Sequence, residues 1–140
     1  MTNEGLTGVE ADGQCFVCGR LNERGLQAVF QVDRDRQQSS CRIALPDGFQ
    51  GWSDMVHGGI LSTLLDEACI YACRSVGEQF VTAELTVKFR KPVHIGDEME
   101  IVGDLLEQRK RLYKARAQIM VGGVVHAEAT AKVFALDEKG

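Results

Sequence analysis

A chain of 140 residues with 44% hydrophobic and 26% charged side chains has the size and make-up of one ordinary globular domain with its own core. Its net charge of −4 speaks against nucleic acid as a main partner, because phosphate binding needs a concentrated basic surface. No apolar run approaches the roughly 18 residues of a membrane span, so no membrane partner is expected either.

Met1 to Gln14 is polar and lacks the basic start and apolar block of a signal peptide. It reads as a loose lead-in, residues 1–14, to a single domain over 15–137. Cys15-Phe16-Val17-Cys18-Gly19 forms one turn and Asn22 to Gly25 a second. From Leu26 to Asp33, Ala28, Phe30 and Val32 alternate with Gln27, Val29 and Gln31, which predicts a strand. After a charged turn at Asp33 to Gln38, Cys41, Ile43 and Leu45 alternate with Arg42 and Ala44 as a second strand, stopped by Pro46-Asp47-Gly48. Phe49 to Val56 is a loop carrying Trp52.

The spacing then predicts one long helix from Gly58 to about Val76. Ile60, Leu61, Leu64, Leu65, Ala68, Cys69, Ala72, Cys73 and Val76 form a broad apolar stripe, free of proline. Asp66 falls just outside one edge of the stripe and Glu67 just outside the other.

Beyond the helix, Val81, Ala83, Leu85, Val87 and Phe89 oppose Thr82, Glu84, Thr86, Lys88 and Arg90, a strand with one dry and one wet face that ends at Pro92. His94 to Asp97 is a turn, Glu98 to Leu106 a strand, and Gln108 to Arg111 a basic hairpin tip. Tyr113 to Val121 alternates again, Gly122-Gly123 is a tight turn, and Val124 to about Leu136 is the last strand, with small residues on one face. Strand, strand, helix and a four-strand meander predict an antiparallel α+β domain with the sheet curled around the helix. Five cysteines, an odd number with two on the helix stripe, suit free thiols in a reducing cytoplasm.

This order, with His57-Gly58-Gly59 at the helix start and Asp66 nine residues after the histidine, resembles the hotdog-fold acyl-CoA thioesterases of the PaaI-like group, in the 4-hydroxybenzoyl-CoA thioesterase superfamily. Thr82 to Pro92, the Gly96-Asp97 turn and the C-x-x-C-G-x-x-N-x-x-G-L segment from Cys15 to Leu26 carry further likeness, which covers roughly residues 15 to 135. Ser53-Asp54-Met55-Val56 departs from the Pro-Gly pair found ahead of the histidine in many relatives.

The resemblance implies hydrolysis of an acyl-CoA thioester, with Asp66 as general base or nucleophile and Thr82 orienting the water. A helix N-terminus presents unpaired N–H groups and a positive dipole end, which makes Gly58, with Gly59, a physically sensible oxyanion donor. His57 would fix the loop or touch the thioester. Leu61, Leu65 and Trp52 would wall the acyl pocket, and Lys88, Arg90 or Arg109 would meet the CoA phosphates. No cofactor and no metal are assigned. Gly58 and Asp66 are eight residues apart, about 12 Å along one helix, so the expected site lies across a homodimer, alone or within a dimer of dimers.

Blander readings stand beside these. Asp66 also fits an exposed helix carboxylate, Thr82 a strand surface residue, His57 a plain cap, and Glu67 a neighbour of Arg74. Cys15 and Cys18 invite zinc, with Cys41 and a histidine as further ligands, but a lone C-x-x-C does not specify it. The competing functions are a non-catalytic acyl-CoA-sensing domain and a hotdog dehydratase or hydratase.

Overall fold

The computed structural model describes residues 8–136; part of the expected lead-in, residues 1–7, lies outside them. Six strands and one helix follow in the order β1 (Gln31–Asp33), β2 (Gln38–Ile43), α1 (Gly58–Cys73), β3 (Phe80–Phe89), β4 (Met99–Arg109), β5 (Leu112–Val121) and β6 (Val124–Ala135). The strands form one antiparallel sheet in the order β1-β2-β4-β5-β6-β3, wrapped around α1.

Several expectations change: the helix expected to about Val76 ends at Cys73 with Arg74 as its cap, and the second strand, expected through Leu45, runs Gln38–Ile43. The strand expected over Leu26 to Asp33 shrinks to Gln31–Asp33, because Gln27 has a positive φ of 50°. Ahead of it, Leu26 and Ala28 donate their backbone N–H groups to Phe16 and Val17 rather than to a strand ladder. The four last strands are also not one meander. Only β4, β5 and β6 are; β3 pairs with β6 at the sheet edge, and β4 pairs with β2. The connection after β3 is too long and too committed for a hairpin. Arg90 and Lys91 donate to the His126 carbonyl, and Val56 donates to the Val93 carbonyl.

The helix packs Leu61, Leu64, Leu65, Ala68, Cys69, Ala72 and Cys73 against the sheet. Leu64 and Leu65 are fully buried, worth about 1.5–3 kcal/mol each. Opposite them the strands present Ala115, Ala117, Ala127, Ala129 and Ala131, all buried, so the helix sits close. At Gly103 an added Cβ would lie 2.3 Å from the Ala68 carbonyl oxygen. There the buried Ser39 hydroxyl donates to the same carbonyl at 2.7 Å. Among the described residues no helix is long and apolar enough to cross a membrane.

Candidate active site

The helix start is built as a cap. His57 holds extended backbone, and its Nδ1 accepts the Gly59 N–H at 2.8 Å, so that nitrogen carries no proton. This engages Gly59 and leaves the Gly58 N–H without an acceptor among the described residues. The expected pair of glycine donors therefore reduces to Gly58.

Gly58 and Leu61 line a cleft of about 320 Å³ with Trp52, Met55, Phe89 and Pro92. Its walls are mostly apolar, and two of them stand open: Trp52 is 81% exposed and Phe89 56%. The loop under Trp52 is held by the Gly51 N–H on the Met55 carbonyl and by the Met55–His94 bridge. Leu65, expected on the pocket wall, is fully buried in the core and does not reach this cleft.

Asp66 lies elsewhere, half-buried on the side of α1 facing β3. The Thr82 hydroxyl donates to its Oδ1 at 2.5 Å. Burial pushes the Asp66 carboxyl above the usual aspartate range, and the Thr82 bond opposes that rise. Plain alternation would set Thr82 on the wet face with Glu84 and Thr86. A bulge at Ala83 changes the phase: Thr82 pairs with Val133 while Glu84 pairs with Lys132. Bulges re-aim side chains beside functional sites, and this one turns Thr82 towards the helix. The local alternation does not announce it: Val81, Ala83, Leu85 and Val87 keep one apolar phase through the bulge, with Thr82 in the polar set.

Asp66 does not line the cleft that Gly58 lines. Lys88 and Arg90 lie on the β3 end nearer to Gly58, with Arg90 already paired to Glu128 at 2.8 Å. Arg109 sits at the opposite end of the sheet, near Glu107, and is not brought to Gly58 within one chain. Glu67, expected beside Arg74, instead accepts from the Cys15 thiol at 3.3 Å, while Arg74 lies over the Tyr71 ring. His126 was not anticipated. Its extra residue in β6 holds the turn after β3, with its ring Nδ1 3.0 Å from the Pro92 carbonyl.

Residues 54–128, which include the helix and most of the sheet, match the thioesterase superfamily. The chain belongs to that family. Acyl-coenzyme A thioesterase THEM4 of Bos taurus is 26% identical over 129 residues, 91% of this chain and 53% of that protein. Acyl-coenzyme A thioesterase 13 of Mus musculus is 26% identical over 92 residues, 64% of this chain and 66% of that protein. The chain thus spans about half to two-thirds of the length of these relatives.

Among solved structures, the E. coli PaaI protein from the phenylacetic acid degradation operon shares the fold, with a TM-score of 0.69 and 21% identity over 77% of this chain and 81% of that one. The smu.793 protein of Streptococcus mutans, solved with acetyl CoA, gives 0.72 and 20% over 86% and 99%. The thioesterase-superfamily chain thus has the expected hotdog fold, and the helix and β3 that carry Gly58, Asp66 and Thr82 all fall within the matched segment.

Proposed function

We propose that this chain is an acyl-CoA thioesterase, hydrolysing a thioester to the free acid and CoA within residues 15–137. The observation that carries the proposal is the half-buried Asp66 carboxylate bonded to Thr82 on the same helix that leaves the Gly58 N–H open at its start. In hydrolysis a water oxygen, or Asp66 itself followed by water, attacks the thioester carbonyl carbon. The C–O bond forms, the C–S bond breaks, and a proton reaches the departing thiolate. Asp66 takes the water proton or supplies the attacking oxygen, Thr82 orients it, and the Gly58 N–H meets the charge that develops on the carbonyl oxygen. His57 fixes that N–H by capping the helix. Lys88 and Arg90 are the nearer cations for CoA phosphates. Relatives named acyl-coenzyme A thioesterases and a neighbour holding acetyl CoA support this substrate class.

The site is shared between two copies of the chain. Eight helical residues put Gly58 and Asp66 about 12 Å apart, too far for one carbonyl to meet both in one chain. A two-fold pair with antiparallel helices brings Asp66 of one beside Gly58 of the other and covers Trp52 and Phe89. Free thiols of five cysteines suit a cytoplasmic setting for this reaction.

Mixed dimers test both claims. Gly58 is the first helical residue, where proline is well tolerated, and His57 already holds the extended backbone that precedes proline. Gly58→Pro therefore deletes the N–H with little backbone change. Alone, Gly58→Pro and Asp66→Asn should each be inactive on an acyl-CoA panel followed by thiol release. Refolded together in equal amounts, they should recover about a quarter of wild-type turnover: half the dimers are mixed, and each has one intact site of two. A mixture that stays inactive overturns the shared site. Full activity in Asp66→Asn overturns the mechanism, and tight acyl-CoA binding by a wild type that never turns over favours the sensing role.

A further inference from the structure

On the side of α1 away from Asp66, the C-x-x-C turn folds against the helix. The Cys15 Sγ, the Cys18 Sγ and a Glu67 carboxylate oxygen all lie within 4.8 Å of one another. We propose that Cys15, Cys18 and Glu67 form a binding site for a zinc-class divalent cation, with its fourth position open to solvent.

The turn itself is shaped for thiolate ligands. The backbone N–H groups of Val17 and Cys18 both point at the Cys15 Sγ, at 3.4 and 3.5 Å, which fixes the position of that sulfur. The Gly19 N–H closes the turn on the Cys15 carbonyl at 2.9 Å. Only glycine fits there, since a Cβ would lie 2.4 Å from the Cys15 nitrogen and 2.5 Å from the Gly13 carbonyl oxygen. The turn is therefore a rigid clip that holds two sulfurs on one side.

Glu67 supplies the second element, from 52 residues further along the chain. It is half-buried and makes no ion pair among the described residues; its partners are the two thiols. The nearby Arg74 guanidinium lies 4.8 Å over the Tyr71 ring instead. A carboxylate withdrawn from water without a cation is an unbalanced charge. A tetrahedral zinc ion bound at about 2.3 Å to sulfur and 2.1 Å to oxygen holds S and O about 3.6 Å apart. The Cys15–Glu67 distance of 3.3 Å is already close to that. Two thiols select a soft cation over magnesium or calcium. Above the cluster an open cavity of about 670 Å³, lined by Tyr71, Glu78 and Gln79 among others, admits water as the fourth ligand.

Binding replaces two thiol protons by one cation and ties the segment before β1 to the middle of the helix. Cobalt(II) added to the full chain, reduced with a non-thiol reductant, is the direct probe. One equivalent per chain should give a sulfur-to-cobalt charge-transfer band with the visible bands of tetrahedral geometry, bleached by one equivalent of zinc. Two protons should be released per ion in weak buffer with an indicator dye. Glu67→Gln keeps the helix surface and should weaken zinc binding by at least about 10-fold against a chromophoric chelator, and Cys15→Ser with Cys18→Ser should abolish the charge-transfer band. Zinc should also raise the melting temperature of wild type. The proposal is overturned if wild type shows no charge-transfer band, if the double serine variant binds as tightly as wild type, or if Cys15 and Cys18 stay joined as a disulfide after reduction.

Discussion

Replacing Thr82 by valine removes the hydroxyl that donates to Asp66 Oδ1 at 2.5 Å and leaves a side chain of nearly equal volume. Asp66 is half-buried; burial raises its carboxyl, and the Thr82 bond is the opposing influence. A hydrogen bond to an ionised acceptor is worth about 1.5–3 kcal/mol. Losing it favours protonated Asp66 over ionised Asp66 by about 10- to 150-fold, at about 1.4 kcal/mol per factor of ten. On the proposed mechanism, as base or as nucleophile, Asp66 acts ionised, so turnover should fall as pH drops through its folded value. That falling limb should move to higher pH in Thr82→Val and stay in place in Thr82→Ser, which keeps the donor. The measurement is kcat/KM against pH, with released CoA followed by a disulfide dye that reacts below neutrality. An acid limb that does not move in Thr82→Val, with the melting temperature unchanged, would refute the pairing of Thr82 with a working Asp66.

Asp66→Asn should cut turnover by about 100- to 10,000-fold, the span of general acid–base catalysis. Its stability should move the other way. A carboxyl raised in the fold contributes stability when protonated, and that contribution is lost as pH rises through the folded value. Near neutrality Asp66→Asn should therefore melt no lower than wild type, with any advantage gone below the ordinary aspartate value of about 3.9. Gly103→Ala places a Cβ 2.3 Å from the Ala68 carbonyl oxygen and 2.6 Å from the Ser39 hydroxyl. Overpacking of about 1–3 kcal/mol should lower the melting temperature by several degrees, read by thermal denaturation. His57→Ala removes the acceptor for the Gly59 N–H and should cost about 1 kcal/mol in denaturant titration. Its turnover should fall less than that of Asp66→Asn.

Where one period governed a segment, the sequence was enough. The stripe expected from Ile60 to Val76 became α1, which stops at Cys73, and the Gly122-Gly123 and His94–Asp97 turns formed where expected, with positive φ at Gly96, Gly122 and Gly123. What stayed hidden depends on contacts between distant segments. The pairing of β3 with β6 rather than β4 rests on the link through Arg90, Lys91 and the His126 carbonyl, which no local spacing announces. The approach of Cys15 to Glu67 bridges 52 residues, and neither residue carries a mark of the other. Thr82 belongs with these, because the apolar alternation from Val81 to Val87 runs unbroken through the bulge that re-aims it.

The two carboxylates on α1 show why position in a stripe cannot decide a role. Asp66 and Glu67 are adjacent and flank the same apolar face, and on a helix lying high on its sheet both would be solvated. Here the helix lies deep, because the facing strands offer Ala115, Ala117, Ala127, Ala129 and Ala131 and because Gly103 admits the Ala68 carbonyl with no Cβ between. Depth brings the margins of the stripe under neighbouring segments, so each carboxylate acquires a specific partner: Thr82 for Asp66, the Cys15 thiol for Glu67. Small residues more than thirty positions away in the chain thus set the burial that raises Asp66 and brings Glu67 against the Cys15 thiol. A larger residue at Ala117 or Ala129 should lift the helix, rehydrate Asp66 and return its carboxyl towards the ordinary range, moving the acid limb of turnover to lower pH without touching the site.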